Sequence, residues 1–157
     1  MVILGANWWS DEVGEWLVGL NASATLVMVG LIWFVQIVHY PLLAQFGAHT
    51  STTVADEHQR RTGLVVALPM AVEGITTLAL LLDPPVGVWV GWPWIGAVVL
   101  AVVLGSTVLV SVPLHARMSR GHDERTGQRL VLTNWPRTIG WTVRGIICAV
   151  MVVQSIG

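Results

Sequence analysis

The chain has 157 residues, of which 54% are hydrophobic and only 11% charged, with a formal net charge of -1 and a mean hydropathy of +0.70. Such a composition excludes an ordinary small soluble domain, and the near-neutral charge gives no footing for a nucleic-acid partner. Cys148 is the only cysteine, which excludes an intramolecular disulfide and a thiol-based redox centre.

Four apolar stretches reach the roughly 20 residues that a ~30 Å hydrocarbon core requires. They are continuous rather than alternating, so helices are expected and not barrel strands. The fold expected is an all-α integral membrane protein, a four-transmembrane-helix bundle forming one domain over residues 1–157, with helices at about 16–39, 54–82, 94–115 and 135–156.

The polar stretch Asn7 to Glu15 interrupts the N-terminus before any long apolar run, so no cleavable signal peptide is expected and the first helix stays as an anchor. That helix carries Gln36 and His39, three residues apart on one face. In the first connection Thr53 and Asp56 fit a capping box, which starts the second helix near Val54. Its wet stripe then runs His58, Arg61, Val65, Pro69 and Glu73. Glu73 sits mid-span, where an acidic side chain costs about 2.5–3.5 kcal/mol on insertion scales and so faces protein, water or a partner charge.

The third helix carries Thr107, Ser111 and His115 at successive four-residue steps, and the fourth carries Asn134, Arg137, Trp141 and Arg144. Asn134 followed by Trp135-Pro136 suits a helix start. His49 and His122 read as loop residues. Pro69 and Pro113 leave the carbonyls of Val65 and Leu109 without their helical donors, which suits kinks that widen a pocket. Gly74, Gly105, Gly140 and Gly145 permit close helix packing.

Arginines concentrate in the first connection (Arg60, Arg61) and the third (Arg117, Arg120, Arg125, Arg129), with Arg137 just beyond, while the N-terminal segment and second connection have none. The positive-inside rule places both N- and C-termini outside a bacterial plasma membrane. Trp8, Trp9 and Trp16 together with Trp89, Trp92 and Trp94 then form an aromatic belt on the outer side, against membrane lipids.

At ~1.5 Å per helical residue, the wet faces separate into two layers. Glu73 and Arg144 lie near the membrane centre, at matching depth. His39 and His115 both fall roughly 16 Å to the cytoplasmic side, with Arg61 and Arg137 alongside. The expected site is a polar cavity open to the cytoplasm and closed at its inner end by Glu73 and Arg144. Glu73, His39 and His115 are its candidate catalytic groups, and Gln36, Arg61, Asn134, Arg137, Trp141 and Arg144 its candidate substrate-binding groups. His39, His58 and His115 could hold iron, copper or zinc, or His39 and His115 a haem, although neither Glu-x-x-His nor His-Glu-x-x-His occurs. Alternatively, Glu73 and Arg144 brace the second and fourth helices.

Val112-Pro113-Leu114-His115-Ala116-Arg117-Met118, then Asn134-Trp135-Pro136-Arg137 and Trp141-Thr142-Val143-Arg144, resemble the small four-helix membrane proteins grouped with fungal anthrone oxygenases. Val38-His39-Tyr40-Pro41-Leu42-Leu43 resembles the end of their first helix, while His115 stands where an asparagine is expected after Pro-Leu. The resemblance implies oxidation of a flat, lipophilic phenol- or quinone-like small molecule. Two other function classes remain: a non-catalytic accessory subunit binding pigment, haem or lipid, as part of a homo-oligomer or larger membrane complex, and an ion path through the central layer. The lack of an inverted repeat disfavours the last.

Overall fold

The computed structural model describes residues 8–42, 52–118 and 124–157, and every regular element among them is helical. Helix α1 runs Asp11–Leu42, α2 Thr52–Leu82, α3 Gly91–Met118 and α4 Glu124–Ser155. All four contain a span long and apolar enough to cross a membrane. The apolar surface left outward is extensive, with Leu68, Ile75, Leu109 and Val153 among many exposed aliphatics. In water such a surface would aggregate; in lipid it needs no partner. The protein is therefore a multi-pass membrane bundle.

α1 packs against α2 and α4, and α4 against α3. Contacts at 21–76 with 25–73, 21–148 with 36–134, and 96–144 with 111–137 show that these neighbours run antiparallel. The core is apolar at one level, where Val18, Ala22, Leu80, Ile147 and Met151 meet. A second apolar cluster joins Met28, Ile32, Leu100, Val103 and Trp141.

At the end bearing the exposed tryptophans, Ser10 caps α1 by accepting from the Val13 amide, and the Trp8 amide donates to Asp83 Oδ2 at 2.7 Å. The segment from Asp83 to Val90 lies over the end of α4, where the Trp89 amide donates to Gln154 Oε1 at 3.1 Å. Gly87 makes this turn with φ of 89°, and a Cβ there would stand 2.7 Å from the Gln154 carbonyl oxygen. Gly87→Ala is expected to lower stability by about 1–3 kcal/mol, read as a fall in melting temperature in detergent. An unchanged melting temperature would show that the turn is not seated on α4.

Helix ends depart from expectation chiefly at α4, which begins at Glu124 instead of near residue 135. Pro136 therefore lies inside the helix, and Asn134 uses its side chain laterally rather than as a cap. Of the glycines expected to let helices approach, Gly140 abuts Val103 and Gly145 abuts Val29, but Gly74 and Gly105 face open space. The proposed capping residues Thr53 and Asp56, together with His49 and His122, lie outside the described positions or side chains.

α1 and α3 share a device. Each contains one π-turn, Val35–His39 in α1 and Thr107–Ser111 in α3, closed by an amide five residues on: Tyr40 to the Val35 carbonyl and Val112 to the Thr107 carbonyl. A proline follows immediately in both, Pro41 and Pro113. In a regular α-helix the proline ring would collide with the carbonyl four residues earlier, and the wider π-turn relieves that crowding. Each turn buries one residue, and in each it is polar: Gln36 and Ser111.

Candidate functional site

Two polar layers cross the bundle. The central one is built on Glu73 and Arg144, whose side chains are 0% and 1% exposed and form a direct ion pair through Arg144 Nε and Glu73 Oε1. Thr25 Oγ1 also donates to Glu73 Oε1, at 2.7 Å, and Arg144 Nη2 donates to Thr77 Oγ1. Asn21 Nδ2 reaches Thr76 Oγ1 at 2.8 Å and Thr77 Oγ1 at 3.1 Å, and Cys148 Sγ donates to Asn21 Oδ1 at 3.2 Å.

This layer ties α1, α2 and α4 together, and α3 contributes by having no side chain there. A Cβ on Gly96 would lie 2.8 Å from Arg144 Nη1. The enclosed pair takes its hydrogen bonds from three helices, all of those to the carboxylate falling on Oε1, while Glu73 Oε2 is buried without a protein partner.

The second layer lies toward the arginine-rich end, at the two π-turns. Gln36 Nε2 donates to the Val131 carbonyl at 3.3 Å, and Asn134 Nδ2 donates to Gln36 Oε1 at 2.9 Å. Thr138 Oγ1 donates to the same Gln36 oxygen at 3.3 Å. Across the α3 side, Arg137 Nη1 donates to Ser111 Oγ at 2.9 Å. Two buried atoms keep no protein partner here, Arg137 Nε and Asn134 Oδ1. Just beyond, Tyr40 Oη and His115 Nε2 are 2.9 Å apart, sharing a hydrogen bond whose direction follows the imidazole tautomer. His39 stacks obliquely on the same tyrosine, ring centroids 5.7 Å apart.

The expectation of one cavity running inward to Glu73 is corrected by Trp141. Its indole does not face a polar space but fills the apolar cluster with Met28, Ile32, Leu100 and Val103, between the two layers. From Thr138 to Arg144 the separation along α4 is about 9 Å, and Trp141 stands midway.

Arg61 also parts from the site. Its side chain is 74% exposed and pairs with Glu57 at 2.7 Å, and the Arg60 and Arg61 guanidinia hold the Glu57 carboxyl below the usual carboxylate range. His39 and His115 are brought together, but through Tyr40, which the sequence reading overlooked. His58 has its side chain outside the described set. Among the described residues no three His, Cys, Asp or Glu side chains are grouped to share a metal ion. His115 Nε2 is engaged by Tyr40, which gives the pair a hydrogen bond along which a proton can move.

Thr25, Thr77, Asn21 and Thr138 were missed as well. Their one available signal was position on the buried faces of α1, α2 and α4. The chain matches no protein-family model, no curated protein and no solved structure.

Proposed function

We propose that the protein is an oxygenase-like oxidoreductase of a bacterial plasma membrane, acting on a flat lipophilic phenol- or quinone-like compound at the arginine-rich end of the bundle, which faces the cytoplasm. The observation carrying this reading is the Tyr40–His115 hydrogen bond standing at the same end as Arg137, whose buried Nε is uncommitted. A phenol oxygen placed there would pass its proton to the tyrosine–imidazole pair, and the resulting oxyanion would accept from the Arg137 guanidinium. The phenolate is the more readily oxidised form: dioxygen takes four electrons, one of its atoms replacing two substrate hydrogens as a carbonyl oxygen and the other leaving as water. Substrate reaches this layer by parting the ends of α1 and α3, which give at their π-turns. Glu73 and Arg144, behind Trp141, brace the scaffold and take no part in the chemistry.

The test uses the full chain in lipid nanodiscs, following oxygen uptake with a hydroxylated anthrone as probe. Tyr40→Phe and Arg137→Gln are each expected to lower kcat by about 10²-fold, with His39→Ala and His115→Ala compared for both turnover and bound metal. No turnover in the wild-type protein, or turnover indifferent to all four changes, would sink the reading. An accessory-subunit reading draws support from Gly74 and Gly105, whose open faces on α2 and α3 suit close approach of another membrane helix. Copurification of the native protein with a fixed set of other chains, without turnover, would favour it.

A further inference from the structure

Hydrogen-bond polarity in the π-turn layer determines what kind of oxygen the site can take. The Val131 carbonyl can only accept, so Gln36 must present Nε2 to it, at 3.3 Å. That orientation turns Gln36 Oε1 toward Asn134. An oxygen there can again only accept, so Asn134 must present Nδ2, at 2.9 Å. Asn134 is thus fixed against an amide flip by a relay that begins at a backbone group. Its remaining atom, Oδ1, is an acceptor by necessity, and it is buried without a protein donor on a residue 1% exposed.

A buried acceptor left unpaired is costly, and a partner must bring the missing hydrogen. One turn along the same face of α4, Arg137 Nε presents the opposite deficit, a buried donor with no acceptor, while its Nη1 is held by Ser111 Oγ. A hydroxyl group has what each lacks, a hydrogen to donate to Asn134 Oδ1 and an oxygen to accept from Arg137 Nε. A carbonyl or an ether oxygen answers only the second.

We propose that this layer is a binding site for the hydroxyl form of an aromatic ligand, rejecting the corresponding carbonyl or ether, with Asn134 as the specificity-determining residue. The proposal rests on the reading of the protein as one that handles a lipophilic phenol, and it adds which redox form is bound. The substrate enters as the neutral hydroxyl compound, held by Asn134 until its proton passes to the tyrosine–imidazole pair; oxidation then leaves a carbonyl, which has no hydrogen for Asn134 Oδ1, and the product is released.

The probes are 4-nonylphenol and 4-nonylanisole, of nearly the same shape, titrated into the full chain in nanodiscs with tryptophan fluorescence as the readout. Wild-type protein is expected to bind the phenol at least about tenfold more tightly than the ether. In Asn134→Leu that preference should fall to near unity through loss of phenol affinity alone. Equal affinity of the wild type for both probes overturns the hydroxyl selection while leaving a lipophilic aromatic site in place. Binding of neither overturns the site itself, and the functional reading with it. Because the wild-type comparison is decisive alone, a failure of Asn134→Leu to fold leaves the proposal open to refutation; Gln36→Leu, which frees the Asn134 amide to flip, should also erode the preference.

Discussion

Arg144→Leu is expected to lower the unfolding free energy of the bundle by about 3–5 kcal/mol, because it leaves the Glu73 carboxylate fully enclosed with no counter-charge. Thr25 Oγ1 would be its only remaining side-chain donor. Glu73→Leu strands the guanidinium in the same way. Glu73→Gln should be milder, since an amide oxygen still accepts from Arg144 and Thr25. Removing both charges, as Glu73→Leu with Arg144→Leu, should recover most of the loss and could exceed the wild type by about 1–4 kcal/mol. The desolvation of two ions is then no longer opposed to folding, and Asn21 keeps Thr76, Thr77, Cys148 and the residue-73 carbonyl as partners. Denaturant titration of all four proteins in bicelles closes the cycle, with turnover measured in parallel. If both single changes cost under about 1 kcal/mol, below even the usual worth of one buried hydrogen bond, the central layer is not the brace described. If the stable double variant has lost its turnover, the pair belongs to the chemistry.

What could be read from the sequence followed from constraints that lipid imposes strictly. Glu73 and Arg144 could be paired in advance because each is too costly to leave alone in hydrocarbon, and a rise of ~1.5 Å per residue puts them at one depth. Gln36 and Asn134 lay on predicted wet faces and do meet, as do Ser111 and Arg137. Trp141 and Arg61 show the limit of that logic. Helical spacing places residues on one face, but along its length the face passes through apolar and aqueous levels. Trp141 therefore packs among aliphatics while Arg61, on a helix that extends past the membrane level, turns to Glu57. Tyr40 escaped because a tyrosine near a helix end reads as an interfacial anchor. The start of α4 escaped because Asn-x-Pro imitates a cap, whereas a membrane helix accepts an internal proline when neighbours satisfy the freed carbonyl. The π-turns had one visible trace, the prolines after Tyr40 and Val112, and nothing in periodicity distinguishes a π-turn from a kink.

Those levels explain why Trp141 carries more weight than any histidine for the integrity of the bundle. Trp141→Ala is expected to cost about 3–5 kcal/mol, since the indole is fully buried against α1 and α3 and the helices, held by Gly140 against Val103, cannot collapse into the space. Trp141→Phe should cost less, retaining an aromatic plug of smaller volume. The vacated space would connect polar groups above and below, Thr138 with Gln36 on one side and Arg144 with Glu73 on the other, so water can bridge it where an apolar cavity would stay dry. Cys148 reports that change directly. In the wild type its thiol is wholly buried and bonded to Asn21 and Thr25, just past Arg144, and should resist a small water-soluble methanethiosulfonate reagent. In Trp141→Ala the reagent should reach it from the arginine-rich end, and Trp141→Phe should remain protected. Equal labelling of wild type and Trp141→Ala, with less than about 1 kcal/mol lost, well below the range for a buried aromatic, would mean that the two layers are already joined. The separation of a bracing layer from a reactive one would then fail.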